Sequence, residues 1–176
     1  MKIALDEIRE VPRSLAYLEA AEPLNRELAR GAGDFQVAEA LAVELAHRRA
    51  GLEVFVEGMV RAEVRGRCAR CLSEYRFPLE VALDVVLAPA SAAEEHPGAL
   101  RDDEIGLAYY EGEEVDLTPL VHEHTLVALP SRALCSEACR GLCSRCGANQ
   151  NAGPCDCPAP VTSGRLSALH TMLRSR

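Results

Sequence analysis

The chain has 176 residues, of which 48% are hydrophobic, only 4% are aromatic and none is Trp, so its core must be built from Leu, Val and Ala. No apolar run approaches the length of a membrane span, and we predict no membrane helix and one soluble domain, with or without a small appendage. The net charge of −8 is unevenly spread: residues 131–176 contain six arginines against Glu137 and Asp156, a net +4, which leaves −12 on residues 1–130.

The N-terminal sequence Met-Lys-Ile-Ala-Leu-Asp-Glu-Ile has acidic residues where a secretory signal peptide needs an apolar stretch. We therefore expect a cytoplasmic protein, whose thiols stay reduced. In such a compartment, closely spaced cysteines are more typical of metal sites than of a disulfide framework.

Residues 37–47 fit two patterns of secondary structure. Val37, Leu41 and Leu45 have the spacing of a helix, whereas Leu41, Val43 and Leu45 alternate as in a strand. Ala and Glu in this segment favour a helix. A strand, however, would pair with the strand that begins at Leu52, and we predict a strand for that reason.

Residues 52–87 have the clearest strand pattern. A first strand is predicted by β-branched residues at even spacing, namely Val54, Val56, Val60 and Val64. Gly58 interrupts this pattern. In residues 75–87 every second position, from Tyr75 to Leu87, is a large apolar residue, which predicts a half-buried partner strand. Between the two lies Cys68-Ala-Arg-Cys71, so we expect this dyad at the tip of a β-hairpin, where a tight turn directs both sulfurs toward one metal ion.

Residues 88–114 are polar, acidic and without periodicity, which predicts a surface loop. The next segment has Asp116 or Thr118 as a helix N-cap and Pro119 in the first turn, so we predict a helix that ends before Pro130. The residues expected on its buried side are Leu120, Val121, Leu126, Val127 and Leu129.

The remaining cysteines follow this helix at zinc-knuckle spacing. Cys143-Ser-Arg-Cys146-Gly is such a knuckle, and Cys155-Asp-Cys157 follows nine residues later, so we predict that these four thiolates bind one zinc ion. A second predicted zinc site takes the other four cysteines: Cys68, Cys71, Cys135 and Cys139. That second site would close a long loop and therefore stabilise the fold most.

Other uses of the cysteines stay open. One ion could be bound by Cys135, Cys139, Cys143 and Cys146. The other ion would then be left with Cys68, Cys71, Cys155 and Cys157, and a third option is that only one site fills. Iron–sulfur ligation ranks below zinc because the spacing matches neither ferredoxin pattern. A thiol–disulfide couple at the first dyad also ranks low, because a redox dyad sits at a helix N-terminus after a strand, and this dyad precedes one.

The sequence contains no phosphate-binding glycine loop, nucleophile elbow or catalytic triad pattern. His122 and His124 are two residues apart on the predicted helix and point to different faces, which favours a solvated or core-edge position over a shared metal ion. We therefore predict that the protein is not an enzyme and has no small-molecule substrate.

Several motifs occur in a fixed order: R-C-A-R-C-L, V-D-L-T-P-L-V, the A-L-P that ends the helix, C-x3-C-R-G-L-C-S-R-C-G-A-N-x-N, and C-x-C. From about Phe35 to the C-terminus, the chain resembles the YceD family of bacterial and plastid proteins, the large ribosomal RNA subunit accumulation proteins. The resemblance implies a role in accumulation of large-subunit ribosomal RNA. Some members lack the last four cysteines, which implies two separate sites. The chain departs from the family where Val-Thr-Ser-Gly precedes Arg165 in place of Asp-Pro-Arg.

We predict an α+β protein with two parts. Residues 1–130 form an antiparallel β-sheet body with the zinc-knuckle hairpin, the acidic loop 88–114 and one or two packed helices. Residues 131–176 form a Cys-rich, zinc-binding tail that ends in a short helix over 164–173. The first zinc site is shared between tail and body.

The predicted function is that of a non-enzymatic factor with two zinc ions in ribosome biogenesis. It would support accumulation of large-subunit ribosomal RNA by binding a basic ribosomal protein or precursor RNA. Candidate partner-binding residues are Arg140, Arg145 and Arg165. An RNA-binding zinc module is the first alternative, although the acidic body disfavours unaided RNA binding. A C-x-x-C thiol oxidoreductase is the second.

Overall fold

The computed structural model describes residues 1–31, 33–91 and 107–158. The elements in these residues are β1 (Lys2–Ala4), β2 (Arg13–Glu19), α1 (Ala21–Arg30), β3 (Phe35–Val37), β4 (Leu41–Ala50), β5 (Glu53–Arg67), β6 (Glu74–Pro89), β7 (Leu107–Tyr110), β8 (Glu114–Asp116) and α2 (Leu117–Ala128). The protein is therefore α+β, as predicted. None of the helices in the described part of the chain has the length and apolarity that crossing a membrane requires.

The main sheet has the strand order β2-β4-β5-β6-β7, and β3 pairs with β5 beyond the end of β4. Its pairs are antiparallel except for β6 and β7, which run parallel. At the centre, β5 and β6 form the predicted hairpin, with 15 and 16 residues in its two strands. At about 3.3 Å per residue, the hairpin is roughly 50 Å long. It joins two distant ends of the molecule.

In the segment 37–47, whose sequence fits both a helix and a strand, the chain forms strand β4, which confirms the prediction. β4 pairs with β5 from Ala42 opposite Arg61 to Ala50 opposite Glu53. A period of two places its three apolar side chains on the core side of the sheet: Leu41, Val43 and Leu45. Pairing and burial therefore outweigh the helix propensity of Ala and Glu.

The core lies between one face of the sheet and the two helices. β5 contributes the valines predicted from their spacing, Val54, Val56, Val60 and Val64, all at most 1% exposed. β6 contributes the alternating residues Leu79, Val81, Leu83, Val85 and Leu87. α1 buries Leu24 and Leu28, and its Asn25 side chain bonds both backbone groups of Val37 at 2.8 and 3.0 Å. This amide fixes α1 against β3.

The helix that follows β8 begins and ends as predicted. Asp116 is its N-cap and accepts a hydrogen bond from the Thr118 backbone N–H at 3.1 Å, and the helix ends before Pro130. The expectation that Val127 is buried is wrong, because this side chain is 86% exposed. The buried stripe instead follows the four-residue spacing of one helix face, with Leu117, Leu120, Val121, His122 and Thr125.

The prediction of one loop over residues 88–114 is wrong at both ends. β6 continues to Pro89, and β7 adds a short parallel strand beside it. The Tyr110 hydroxyl donates a hydrogen bond to the Leu52 carbonyl at 2.8 Å, which holds β7 against the start of β5. A four-residue strand is too short to show a period in the sequence. The rest of that loop, residues 92–106, and the predicted helix over 164–173 lie outside the described residues.

Candidate metal centres

The tip of the β5–β6 hairpin is a compact turn with a cysteine at each side. The Cys68 backbone N–H donates to the Ser73 carbonyl, and the Leu72 N–H donates to the Cys68 carbonyl, both at 2.9 Å. Leu72 has φ = 59°, in the left-handed region that a Leu rarely adopts. The backbone thus accepts a local conformational cost for a turn that places Cys68 and Cys71 on one side.

The segment after α2 returns to this hairpin tip. The Ala69 N–H donates to the Ala133 carbonyl at 2.7 Å, and the Leu142 N–H donates to the Arg70 carbonyl at 3.1 Å. The Arg70 guanidinium in turn donates to the Cys139 carbonyl at 2.9 Å. These bonds bring two more cysteines to the turn. Sequence reasoning missed the role of Arg70, although its place inside the C-x-x-C turn was a signal.

Four sulfurs meet at the tip, and we call them the hairpin cluster: Cys68, Cys71, Cys135 and Cys139. They lie within 4.8 Å of one another, and the Cys68–Cys139 and Cys71–Cys135 Sγ pairs are 3.7 Å apart. Zn–S bonds of about 2.3 Å place sulfurs about 3.8 Å apart at the corners of a tetrahedron, whereas a disulfide needs about 2.05 Å. The distances therefore fit a tetrahedral metal ion and not two disulfides.

A second group of four sulfurs, the tail cluster, consists of Cys143, Cys146, Cys155 and Cys157. These sulfurs also lie within 4.8 Å of one another. Gly147 follows the knuckle with φ = 72°, a left-handed conformation that glycine adopts without strain. Its N–H donates to the Cys143 carbonyl at 2.9 Å and closes the turn. One of its four cysteines, Cys143, is buried, whereas three are buried in the hairpin cluster, so the tail cluster is closer to the surface.

The two clusters contain the same residues as the two quartets predicted from spacing. The alternative quartet of Cys135, Cys139, Cys143 and Cys146 does not come together. That each cluster binds a metal ion stays a prediction. Four soft thiolates at these separations are a donor set that suits zinc.

In each cluster, the first cysteine of the C-x-x-C turn has a strongly lowered pKa. Burial opposes ionisation of Cys68, but backbone N–H groups, first that of Cys135, outweigh it and lower the pKa of this thiol to about 6. The backbone N–H of Cys146 lowers the pKa of Cys143 to about 6 in the same way. The expectation that no dyad is placed for a lowered pKa is therefore wrong. The donors belong to the C-x-x-C turns and, for Cys68, first to Cys135 of the returning segment, so no helix N-terminus is required.

The pKa values of Cys135 and Cys157 shift in the opposite direction because neighbouring sulfurs crowd these thiols. The Cys139 side chain, followed by burial, raises the pKa of Cys135 to about 12. The Cys146 side chain, followed by burial, raises the pKa of Cys157 to about 12. Without a metal ion, four adjacent sulfurs cannot all ionise, because like charges repel at this distance. A divalent cation would remove that conflict.

Two arginines predicted for partner binding lie beside the tail cluster. Arg140 and Arg145 are both exposed and line a shallow groove of about 420 Å³ together with Gln150 and Pro154. In the described part of the chain, neither guanidinium lies within 4.0 Å of a carboxylate. Arg165 lies outside the described residues.

A groove of about 760 Å³ lies at the opposite end of the β5–β6 hairpin, between β7, β8 and α2. We call it the acidic groove, because five carboxylates line it: Glu111, Glu113, Glu114, Asp116 and Glu123. Lys2 is the one cation among the lining residues in the described part of the chain. The uneven charge of the sequence therefore has a spatial counterpart, with this groove distant from Arg140 and Arg145.

The two histidines of α2 do not meet. His122 is buried, and its Nδ1 lies 3.5 Å from a Glu27 carboxylate oxygen on α1. His124 Nδ1 lies 2.9 Å from the Leu120 carbonyl of the preceding turn. Their positions match the predicted core-edge role.

A family model described as "Large ribosomal RNA subunit accumulation protein YceD" matches residues 56–173, which include both clusters. Uncharacterised proteins of Mycobacterium bovis and Mycobacterium tuberculosis are each 38% identical over 95 residues, which is 53% of this chain and 44% of theirs. The chloroplastic Large ribosomal RNA subunit accumulation protein YCED homolog 1 of Arabidopsis thaliana is 36% identical over 47 residues, 27% of this chain and 15% of that protein. The chain thus spans less than half the length of these relatives. No solved structure matches.

Proposed function

The chain belongs to the YceD family of large ribosomal RNA subunit accumulation proteins, and on this basis we propose that it is a zinc-binding factor of ribosome biogenesis without catalytic activity. Its role is to support accumulation of large-subunit ribosomal RNA by binding a basic ribosomal protein. The observation that supports this most directly is the pair of four-cysteine clusters inside the family match.

Zinc is the proposed ion in both clusters. The donor set is four thiolates, the Sγ separations of 3.7 Å suit a tetrahedron, and glycines shape the turns of the tail cluster. In the hairpin cluster, Cys68, Cys71 and Cys139 are buried, which is typical of a closed structural site without an open position for substrate. The ions act here as cross-links that stabilise a protein whose core contains few aromatic side chains.

The positions of the cysteines also support a role without catalysis. All eight cysteines of the chain belong to one of the two clusters, so none is left over as a separate nucleophile. A low thiol pKa is a feature of reactive cysteines, but a reactive cysteine must also be accessible. Cys68 and Cys143 have the low pKa values, and both side chains are buried. Their thiolates are suited to bind a metal ion.

The distribution of charge supports a protein partner. Residues 1–130 have a net charge of −12, and five carboxylates converge on the acidic groove. A surface of this sign repels phosphates and attracts cationic side chains. Ribosomal proteins of basic composition have the complementary chemistry. Electrostatic attraction of this kind raises the rate of association more than the final affinity.

An RNA-binding role is the second candidate, and one observation favours it. Arg140 and Arg145 are exposed beside the tail cluster, without an ion pair in the described residues, and could contact phosphates. Two such contacts provide only a small part of the affinity that nucleic-acid binding requires. We therefore rank direct binding to ribosomal RNA second.

Affinity capture from cell lysate, with and without RNase, tests the proposal. We expect a basic large-subunit ribosomal protein to be retained after RNase treatment. We also expect depletion of the protein to lower large-subunit ribosomal RNA relative to small-subunit RNA. If no ribosomal component is retained after RNase treatment, the partner is RNA and not a ribosomal protein. An unchanged ratio of the two RNAs on depletion would refute the role in accumulation.

A further inference from the structure

The eight residues between Cys146 and Cys155, residues 147–154, form a loop that folds back onto the hairpin cluster. We call it the asparagine loop. The Asn151 side-chain Nδ2 lies 3.3 Å from Cys139 Sγ, as a donor to that sulfur. Its Oδ1 accepts the Arg140 backbone N–H at 2.7 Å, which fixes the orientation of the amide. A side chain from the tail cluster's own loop thus contacts a ligand of the hairpin cluster.

A second path runs through Asn149. Its Nδ2 donates to the Ser73 hydroxyl at 3.2 Å, and the Ser73 carbonyl accepts the Cys68 backbone N–H at 2.9 Å in the hairpin turn. The Asn149 Oδ1 accepts both the backbone N–H of Asn151, at 3.0 Å, and its Nδ2, at 2.8 Å. The two asparagines therefore form one unit that contacts the Cys139 sulfur directly and the hairpin turn at Ser73.

The tail cluster determines the shape of this loop. Cys146 and Cys155 hold its two ends within one group of four sulfurs. Inside the loop, the Ala148 carbonyl accepts the Cys143 N–H at 2.8 Å, and the Gln150 N–H donates to the Gly141 carbonyl at 2.9 Å. An ion in the tail cluster would stabilise the conformation in which both asparagines face the hairpin cluster.

We propose that Asn149 and Asn151 are positioning residues for the metal ion of the hairpin cluster, so that filling the tail cluster strengthens metal binding in the hairpin cluster. The inference rests on the metal content proposed above. A divalent ion with four thiolates has a net charge of −2, and N–H donors to sulfur stabilise that charge. By linkage, the hairpin ion strengthens binding in the tail cluster to the same degree.

The first test removes the Asn151 N–H donor to Cys139 and keeps the size and shape of the side chain. Asn151→Asp retains the Oδ1 acceptor for the Arg140 N–H but places a carboxylate oxygen against Cys139 Sγ. The matched control is Gln150→Glu, which makes the same charge change at the neighbouring residue. Losses of about 10- to 100-fold are typical when a partner of a metal ligand is removed. We expect a loss of that size in hairpin-cluster zinc affinity for Asn151→Asp, measured by competition with a chromophoric chelator, and less than about twofold for Gln150→Glu.

A second variant keeps the test decisive if Asn151→Asp folds poorly. Ser73→Ala breaks the hydrogen bond from Asn149 to the hairpin turn and lies outside the asparagine loop. It should also weaken the hairpin-cluster ion. With Co²⁺ in place of zinc, both variants should shift the wavelength of the sulfur-to-cobalt charge-transfer band. A variant that only lowers the stability of the fold would not shift this band. Normal affinity and an unshifted band in both variants would overturn the proposal.

A thermodynamic cycle tests the coupling between the clusters. Cys155→Ser together with Cys157→Ser disables the tail cluster, so the one remaining ion reports on the hairpin cluster alone. We expect its affinity to be about tenfold below that in the full protein, and Asn151→Asp to have little further effect in this background. If Asn151→Asp lowers the affinity of the hairpin cluster equally in both backgrounds, the two clusters are not coupled. The proposal that the protein binds zinc would be unaffected by that result. A wild-type protein that binds no zinc would refute the zinc content and this inference together.

Discussion

The Sγ atoms of Cys68 and Cys139 lie 3.7 Å apart, although 71 positions separate the two residues in the chain. The loop between them contains β6, β7, β8 and α2. A metal ion bound at this point would join the hairpin tip to the segment after α2 and would restrict the unfolded chain more than a local knuckle does.

The first prediction is the metal content. We expect about two zinc ions per chain in the purified protein, because eight thiolates in two tetrahedral groups have this capacity. Elemental analysis with protein quantification measures the ratio. A protein without zinc, in which mass spectrometry under non-reducing conditions finds four disulfides, would contradict this expectation.

The second prediction compares one substitution in each cluster. Cys71 and Cys135 are 64 positions apart, whereas Cys146 and Cys155 are nine apart. The entropy of loop closure grows with the logarithm of loop length, so Cys71→Ser should lower the melting temperature about 5 °C more than Cys146→Ser. Thermal unfolding of the zinc-loaded variants at equal ion concentration measures this difference. Equal losses would mean that the hairpin cluster does not close the longer loop.

The third prediction concerns pH. At pH 7, Cys68 and Cys143 are mostly thiolates because their pKa values are about 6, so a binding ion need not displace their protons. Below pH 6 both thiols are protonated, and each ion must release about one more proton. Zinc affinity should therefore fall as pH falls, more steeply below pH 6 by about one proton per ion. Chelator competition between pH 8 and pH 5 gives the slope, and a constant slope through pH 6 would be inconsistent with the amide donors.

Most of the central hairpin could be predicted because apolar residues recur at every second position of its strands. The alternation of β5 and β6 predicts one buried face, and all the β5 valines named from their spacing are buried. The cysteine quartets could be predicted because knuckle spacing restricts which sulfurs can meet. In both cases, the signal lies in the order of a few neighbouring residues.

The remaining elements depend on tertiary contacts. β7 has four residues and pairs in parallel with a strand about 20 residues earlier in the chain, so its own sequence contains no period. Val127 fits an apolar pattern but faces solvent, because α2 is apolar on more than one side. Asn149 and Asn151 are ordinary turn residues in the sequence. Their contacts with Ser73 and Cys139 depend on the long-range return of the chain to the hairpin tip.

The fourth prediction tests the close approach of β4 and β5. Gly58 has φ = 155°, and a Cβ atom there would lie 2.1 Å from the Glu44 carbonyl oxygen. Backbone atoms of a paired strand cannot easily move away, so Gly58→Ala should destabilise the protein by about 2 kcal/mol or more. Gly31→Ala is the control, because its added Cβ would meet no atom within 4 Å. Chemical denaturation measures both variants, and similar stabilities would contradict the close approach of the two strands at Gly58.

The last prediction concerns the acidic groove. Glu111→Gln, Glu113→Gln and Glu123→Gln together remove three of its five carboxylates. The control is Glu39→Gln, Glu53→Gln and Glu57→Gln, which changes the net charge equally at exposed positions outside the groove. If the groove binds a basic ribosomal protein, the first variant should lose RNase-resistant capture and the control should keep most of it.

Binding by the unmodified protein should also weaken as salt rises from low to physiological concentration, because the paired charges are exposed and screened over about 8 to 10 Å. Three further measurements show whether a loss of binding is caused by the groove itself. Melting temperature and zinc content should be the same in both variants. The amount of large-subunit ribosomal RNA should fall only with the groove variant. Equal losses in the two variants would assign the attraction to net charge and not to the groove. Retained RNase-resistant capture in both variants would place the protein-binding surface outside the groove. Loss of RNase-sensitive capture on Arg140→Glu and Arg145→Glu would assign RNA binding to the tail cluster, since those two side chains offer the cations that phosphates need.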